Sequence, residues 1–182
     1  MIPLDASRVL VLPGWQNSGP AHWQSRWEAL HGFVRVEQHD WMLPLRGDWI
    51  TRLEDVLLGQ SGPSILVAHS LGCMLTAAWA SVTRNPHLVA GALLVAPGDP
   101  EREELRVPLR SWAPVVRQPL PFPSILLGSH DDPYCTFERA QGFAQSWGST
   151  FVDYGHRGHI NADSGLGDWP EGLEFLNTLH KG

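Results

Sequence analysis

Lysine is all but missing from this chain. Of its thirteen basic residues only Lys181 is a lysine; the rest are arginines. Chemistry that turns on a lysine amine, such as a Schiff base or the phosphate-gripping lysine of a P-loop, therefore has no candidate in the interior of the sequence. Cysteine is scarce too. Cys73 and Cys135 stand alone with no C-x-x-C pair, so neither a disulfide framework nor a zinc site is indicated, and two buried or idle thiols are expected. There is no excess of positive charge: the formal net charge of −6 argues against a nucleic-acid partner held through a basic surface. No apolar run approaches the ~20 residues of a membrane span, so no membrane partner is expected. Residues 1–8 lack a basic stretch followed by a long apolar one, which excludes a signal peptide and predicts a cytoplasmic protein.

What is present is a rhythm. Short apolar runs alternate with longer helical patterns, as in a parallel α/β sheet. Strands are predicted at 8–12, 34–36, 64–68, 89–95, 124–128 and 150–154. Helices are predicted at 20–30, 48–58, 71–82, 136–147 and 170–180. Trp23, Trp27 and Leu30 mark one face of the first helix, and Ile50, Leu53, Val56 and Leu57 that of the second. With 182 residues the chain suits one domain around a single core. The expected fold is a three-layer α/β/α sandwich of about six parallel strands in the order 2-1-3-4-5-6, with right-handed crossovers. Residues 98–123 break the rhythm with a cluster of charges followed by five prolines from Pro108 to Pro123. This segment is a surface excursion or a small flap over a site, too short for a full lid domain.

The stretch Ser64-Ile65-Leu66-Val67-Ala68-His69-Ser70-Leu71-Gly72 carries the chemistry. An apolar strand ends in His-Ser-x-Gly and a helix begins at once, which is the layout of a nucleophile elbow. The strained serine needs small neighbours, and the helix behind it aims backbone N–H groups at a developing anion. Ala68 stands where a glycine is usual, the mildest available departure.

A serine needs a base, and the base needs an orienting acid. In wound sheets the partners lie in loops after strand ends. After the fifth strand come Asp131 and Asp132, of which Asp132, fixed by Pro133, is the preferred acid. Asp99, after the fourth strand, is a remoter rival. After the sixth strand His156 competes with His159, which has Gly158 before it and Asn161 just after. The order Ser, Asp, His is the one this fold uses. His156 and His159 lack the carboxylates or thiols that a zinc site needs, so no metal and no cofactor is expected. His69 points away from Ser70 by strand alternation and is assigned to packing or hydrogen bonding. The oxyanion donors are expected to be the N–H groups of Leu71 and, after the Gly14 turn, Trp15. Trp23, Trp27, Trp79 and Trp147 read as core. Trp15, Trp41, Trp112 and Trp169 fall in loops and could line an apolar acyl pocket, for which Trp15, Gln16 and Trp112 are the candidates.

Pro13-Gly14, His22-Trp23 with Trp27, Val67 to Cys73, Gly128 with Asp131-Asp132-Pro133, and Gly158-His159-Ile160-Asn161 together resemble the small serine hydrolases of the retinoblastoma-binding-protein-nine group, also called YdeN-like. Ser164-Gly165-Leu166-Gly167-Asp168-Trp169-Pro170 is similar to its bacterial branch. The resemblance implies a compact α/β-hydrolase with Ser70, Asp132 and His159 as its triad, and it leaves the substrate open. The expected function is cleavage of small acyl esters through an acyl-enzyme. An amidase or acyltransferase using the same triad, or a binding protein on a hydrolase fold, are the alternatives.

Overall fold

The computed structural model describes residues 5–180. Lys181, and the first four residues of the stretch read for a leader, lie outside that range. Six strands form one fully parallel sheet: β1 (Val9–Leu12), β2 (Val34–Arg35), β3 (Ser64–His69), β4 (Val89–Val95), β5 (Ser124–Gly128) and β6 (Thr150–Asp153), in the order β2-β1-β3-β4-β5-β6. The predicted order and parallel pairing are those of the structure. Among the described residues five helices cover the sheet: α1 (Trp23–His31), α2 (Arg46–Leu58), α3 (Leu71–Val82), α4 (Phe137–Trp147) and α5 (Pro170–His180).

The strand sequences explain the layers. Successive side chains point to opposite faces, and both faces are apolar because both are covered. Leu10, Leu12, Leu66, Ala68, Leu94 and Leu126 pack into the core under α2, α3 and α4. Val9, Val11, Ile65, Val67, Leu93 and Val95 face the other way, with Trp23 and Trp27 of α1 and Leu176 and Leu179 of α5. No helix among the described residues is long and apolar enough to cross a membrane.

Some elements differ in detail from the sequence pattern. α1 starts three residues later than its periodicity suggests, because His22 caps it: His22 Nδ1 accepts the N–H of Gln24 at 3.1 Å. Leu30 does not share the inward face of Trp23 and Trp27 but is 54 % exposed. The chain leaves the helix at left-handed Gly32, and Phe33 packs against Trp27 instead. In α2 the buried face is Trp49, Leu53 and Leu57, with Ile50 and Val56 only half-buried.

Residues 98–123 hold two short 3-10 turns, Glu103–Leu105 and Arg110–Trp112. The segment is pinned at both ends. Arg139 of α4 forks onto buried Asp99 at 2.7 and 2.8 Å and reaches Glu101 at 2.6 Å. Glu101 also accepts the N–H of Val115. Farther on, the indole N–H of Trp147 donates to Val116 O and the Leu120 N–H to Trp147 O.

Candidate active site

β3 delivers Ser70 to the carboxyl edge of the sheet and α3 leaves it immediately. The turn between them forces Ser70 to φ 55° and ψ −119°, a conformation that L-residues rarely adopt. Its N–H is held by Val95 O at 3.1 Å, so the strain is balanced by a bond to β4. Crowding explains the surrounding glycines. A Cβ on Gly14 would lie 2.8 Å from Ser70 Cβ, and one on Gly98 2.9 Å from Ser70 Oγ. A Cβ on Gly72 would lie 2.3 Å from the Leu12 carbonyl oxygen, which is backbone and cannot step aside. Gly72→Ala is therefore expected to cost about 3 kcal/mol, since α3 must lift off β1 to make room. A denaturant midpoint unchanged from the parent would contradict this close approach.

The structure brings Ser70, His159 and Asp132 into one hydrogen-bonded line. His159 Nε2 lies 2.9 Å from Ser70 Oγ. His159 Nδ1 lies 2.9 and 2.8 Å from the two oxygens of Asp132. Asp132 Oδ1 also accepts the Tyr134 N–H at 2.8 Å, so the Pro133 turn orients the carboxylate. The neighbouring Asp131 serves the loops. It accepts from the Gly158 N–H and the Ser129 hydroxyl, both of which hold its carboxyl below the usual range. Asp99 is taken by Arg139, and His156 stacks on His130 with ring centroids 5.1 Å apart. Neither reaches Ser70. Among the described residues no group of three or more His, Cys, Asp and Glu side chains is arranged to hold a metal ion.

The backbone of the histidine loop is gripped by β3 and by α1, whose Trp23 shares a core with Ile160. His69 Nε2 donates to His159 O at 2.8 Å, and Trp23 Nε1 to Ile160 O at 2.8 Å. Ile160 sits at φ 48°, held there by these contacts. His69 therefore does pack and hydrogen-bond, and the atom it bonds is the carbonyl of the residue beside Ser70. The rings of His22, His69 and His159 follow one another at centroid distances of 4.6 and 4.7 Å. Burial, helped by the neighbouring His159 and Arg35, pushes the His22 pKa down to about 3. Burial also pushes His69 well below its ordinary value, with His22 and His159 adding to the effect. Both rings are neutral at neutral pH. Cys73 and Cys135 are buried, and burial pushes both thiols up, which leaves them unreactive.

The loop after β1 closes the site from the other flank. Gln16 and Asn17 adopt φ 70° and 66°. Arg35 bonds Asn17 Oδ1 and Ser18 O, and the Trp15 indole donates to Met42 O. Gln24, fully buried in α1, was invisible to the helical pattern. Its amide donates to Leu12 O and Val67 O at 3.1 Å each and accepts from the Ser18 hydroxyl at 2.7 Å. One side chain thus ties the ends of β1 and β3 to this loop. Leu71, first residue of α3, has an N–H with no partner inside the helix, as every helix start does.

Ser70 and His159 open on a cavity of about 280 Å³. Trp15 and Gln16 line it, but Trp112 does not. Its indole donates to Pro44 O at 2.7 Å and its ring packs on Trp49, so it anchors the excursion. Leu105 and Leu109 reach the cavity from the same segment instead. Trp41 is half-buried beside Trp49, and Trp169 is core, stacked on Trp27.

This fold and elbow are those of α/β-hydrolases, and the serine hydrolase family profile matches residues 9–178. The chain belongs to that family. It is similar to a YdeN-like hydrolase from Pectobacterium atrosepticum, at 34 % identity over 94 % of this chain and 91 % of that one, with a TM-score of 0.81. The ydeN gene product of B. subtilis matches at 19 % identity over 97 % and 100 % of the two chains, TM-score 0.75. A thermophilic esterase from Thermogutta terrifontis shares the fold at 16 % identity over 94 % and 90 %, TM-score 0.66. No curated relative matches the sequence.

Proposed function

We propose that this serine hydrolase is a carboxylesterase acting on small acyl esters through an acyl-enzyme. His159 Nε2 takes the Ser70 proton as Oγ attacks the ester carbonyl, and Asp132 orients and stabilises the imidazolium. The N–H groups of Leu71 and Trp15 receive the oxyanion, a contribution of about 3 kcal/mol per donor. His159 then protonates the leaving alcohol, and water, activated by the same ring, releases the acid and restores Ser70. Each of these steps uses only groups of the chain, the ester and water. The observation that carries it is the unbroken line from Ser70 Oγ to His159 to Asp132, each link at 2.8–2.9 Å. The small cavity supports a small substrate, since about 280 Å³ falls just under the ~300–1,000 Å³ of sites for drug-sized ligands.

The test is intact-mass analysis after exposure to a fluorophosphonate. A single adduct on the parent and none on Ser70→Ala is the expected result. No adduct on folded parent protein would overturn the reading. Turnover of an ester exceeding that of the matching amide, with and without an added alcohol, separates an esterase from an amidase or an acyltransferase.

A further inference from the structure

The cavity has two unlike walls. His159, His69, Asn161, Asn17 and His22 give the cavity a polar stretch of lining, and Ile160 beside His159 packs with Trp23 on the α1 face of the sheet. Leu105 and Leu109 line the cavity from the 98–123 segment and belong to the core on the other face of the sheet, under α2, α3 and α4. These two leucines sit one helical turn apart, with the Leu109 N–H donating to Leu105 O at 2.9 Å, so they share a face. Both are buried, whereas Val107 on the outer side of the same turn is 82 % exposed.

A mobile flap would hang from few contacts. This segment is held by Arg139 on Asp99 and Glu101, by the Asp99 N–H on Tyr134 O, and by Trp112 and Ser111 on Pro44 O. Arg46 N–H donates to Ser111 Oγ from the start of α2. The wall is tied to α2, to α4 and to the turn that carries Asp132.

We propose that Leu105 and Leu109 form a fixed acyl-side wall that sets the chain length this hydrolase accepts. The inference rests on the esterase reading above. The leaving oxygen must come within hydrogen-bond reach of His159 Nε2, which assigns the alcohol portion to the polar wall beside His159. The acyl chain then runs to the opposite side and meets the two leucines. A fixed wall discriminates by size, because each extra methylene either finds room or forces repacking.

The experiment compares the parent, Leu105→Ala, Leu109→Ala, Leu109→Phe and the outward control Val107→Ala. The substrates are p-nitrophenyl acetate, butyrate, hexanoate and octanoate, together with acetates of progressively longer alcohols. Thermal melting and the rate of fluorophosphonate labelling at Ser70 establish that each variant is folded and its nucleophile active. Either alanine variant is expected to raise kcat/KM for octanoate relative to acetate by about tenfold. Leu109→Phe shifts the ratio the other way, and Val107→Ala leaves it unchanged. An unchanged acyl profile in folded, labelled variants overturns the wall. A shift confined to the alcohol series overturns its acyl-side assignment. Absence of labelling in the parent would instead count against the esterase reading itself, so the two failures are distinct.

Discussion

Asp132→Asn lowers kcat by about four orders of magnitude while leaving the fold in place. The size of the loss follows from which atoms the carboxylate serves. Asp132 Oδ1 accepts the Tyr134 N–H, and both of its oxygens face His159 Nδ1. An asparagine must place its one carbonyl oxygen towards the Tyr134 N–H, which leaves its NH₂ against Nδ1. That NH₂ only donates, so Nδ1 must become the acceptor and the ring proton moves to Nε2. A protonated Nε2 cannot take the proton of Ser70. The fluorophosphonate labelling rate falls with kcat, because both need an activated Oγ, while the melting temperature stays close to the parent's. Ser70→Ala loses more, roughly 10⁶-fold, and adding Asp132→Asn to it costs nothing further, because the three residues act as a unit. Labelling of Asp132→Asn at the parent rate would show that some other group orients the base.

The strands and the elbow could be read from the chain because their signals are local. Continuous apolar runs mark strands buried on both faces, and Ser70 announces itself through the strand before it, the helix after it and Gly72 between. Placement in strand-end loops narrows the acid to Asp131 or Asp132, with Pro133 favouring Asp132, and the base to His156 or His159, while the family resemblance implies Asp132 with His159. What stayed hidden depends on pairings far apart in sequence. Nothing near Gln24 indicates that its amide reaches Val67 O, 43 positions on. Trp112 looks like a pocket residue in an irregular loop, but Pro44 O, 68 positions earlier, captures its N–H. Leu105 and Leu109 then inherit the cavity. Asp99 sits where an acid could serve a histidine, yet Arg139, 40 positions later, claims it. In each case the decisive partner satisfies a buried polar group, and periodicity carries no information about that.

Acidification is expected to unfold this protein earlier than its carboxylates alone would dictate. His22 is buried, and its folded pKa lies near 3 against an ordinary 6.5. Below about pH 6.5 the unfolded chain takes up a proton at this ring that the folded chain refuses until about pH 3. The contribution is therefore complete above pH 6.5 and shrinks as pH falls through that window. From neutral pH to about pH 5 His22 accounts for a loss of about 2 kcal/mol, or roughly 4–8 °C in Tm for a chain of this size. His69, shifted in the same direction by burial, steepens the fall. Ordinary carboxylates titrate near 4, so the upper half of the window belongs to histidines. His22→Asn separates the titration from the packing. Asparagine is a good N-cap and keeps an acceptor for the Gln24 N–H, but it carries no ring to protonate. Its Tm at neutral pH is lower, through lost contact with His69 and Trp23. Its Tm between about pH 7.5 and pH 5 falls less steeply than the parent's. Parallel curves for the two proteins would mean that His22 takes up its proton in the folded state, with the packed rings opening to admit it. The His159 backbone that His69 holds would then loosen before the sheet does.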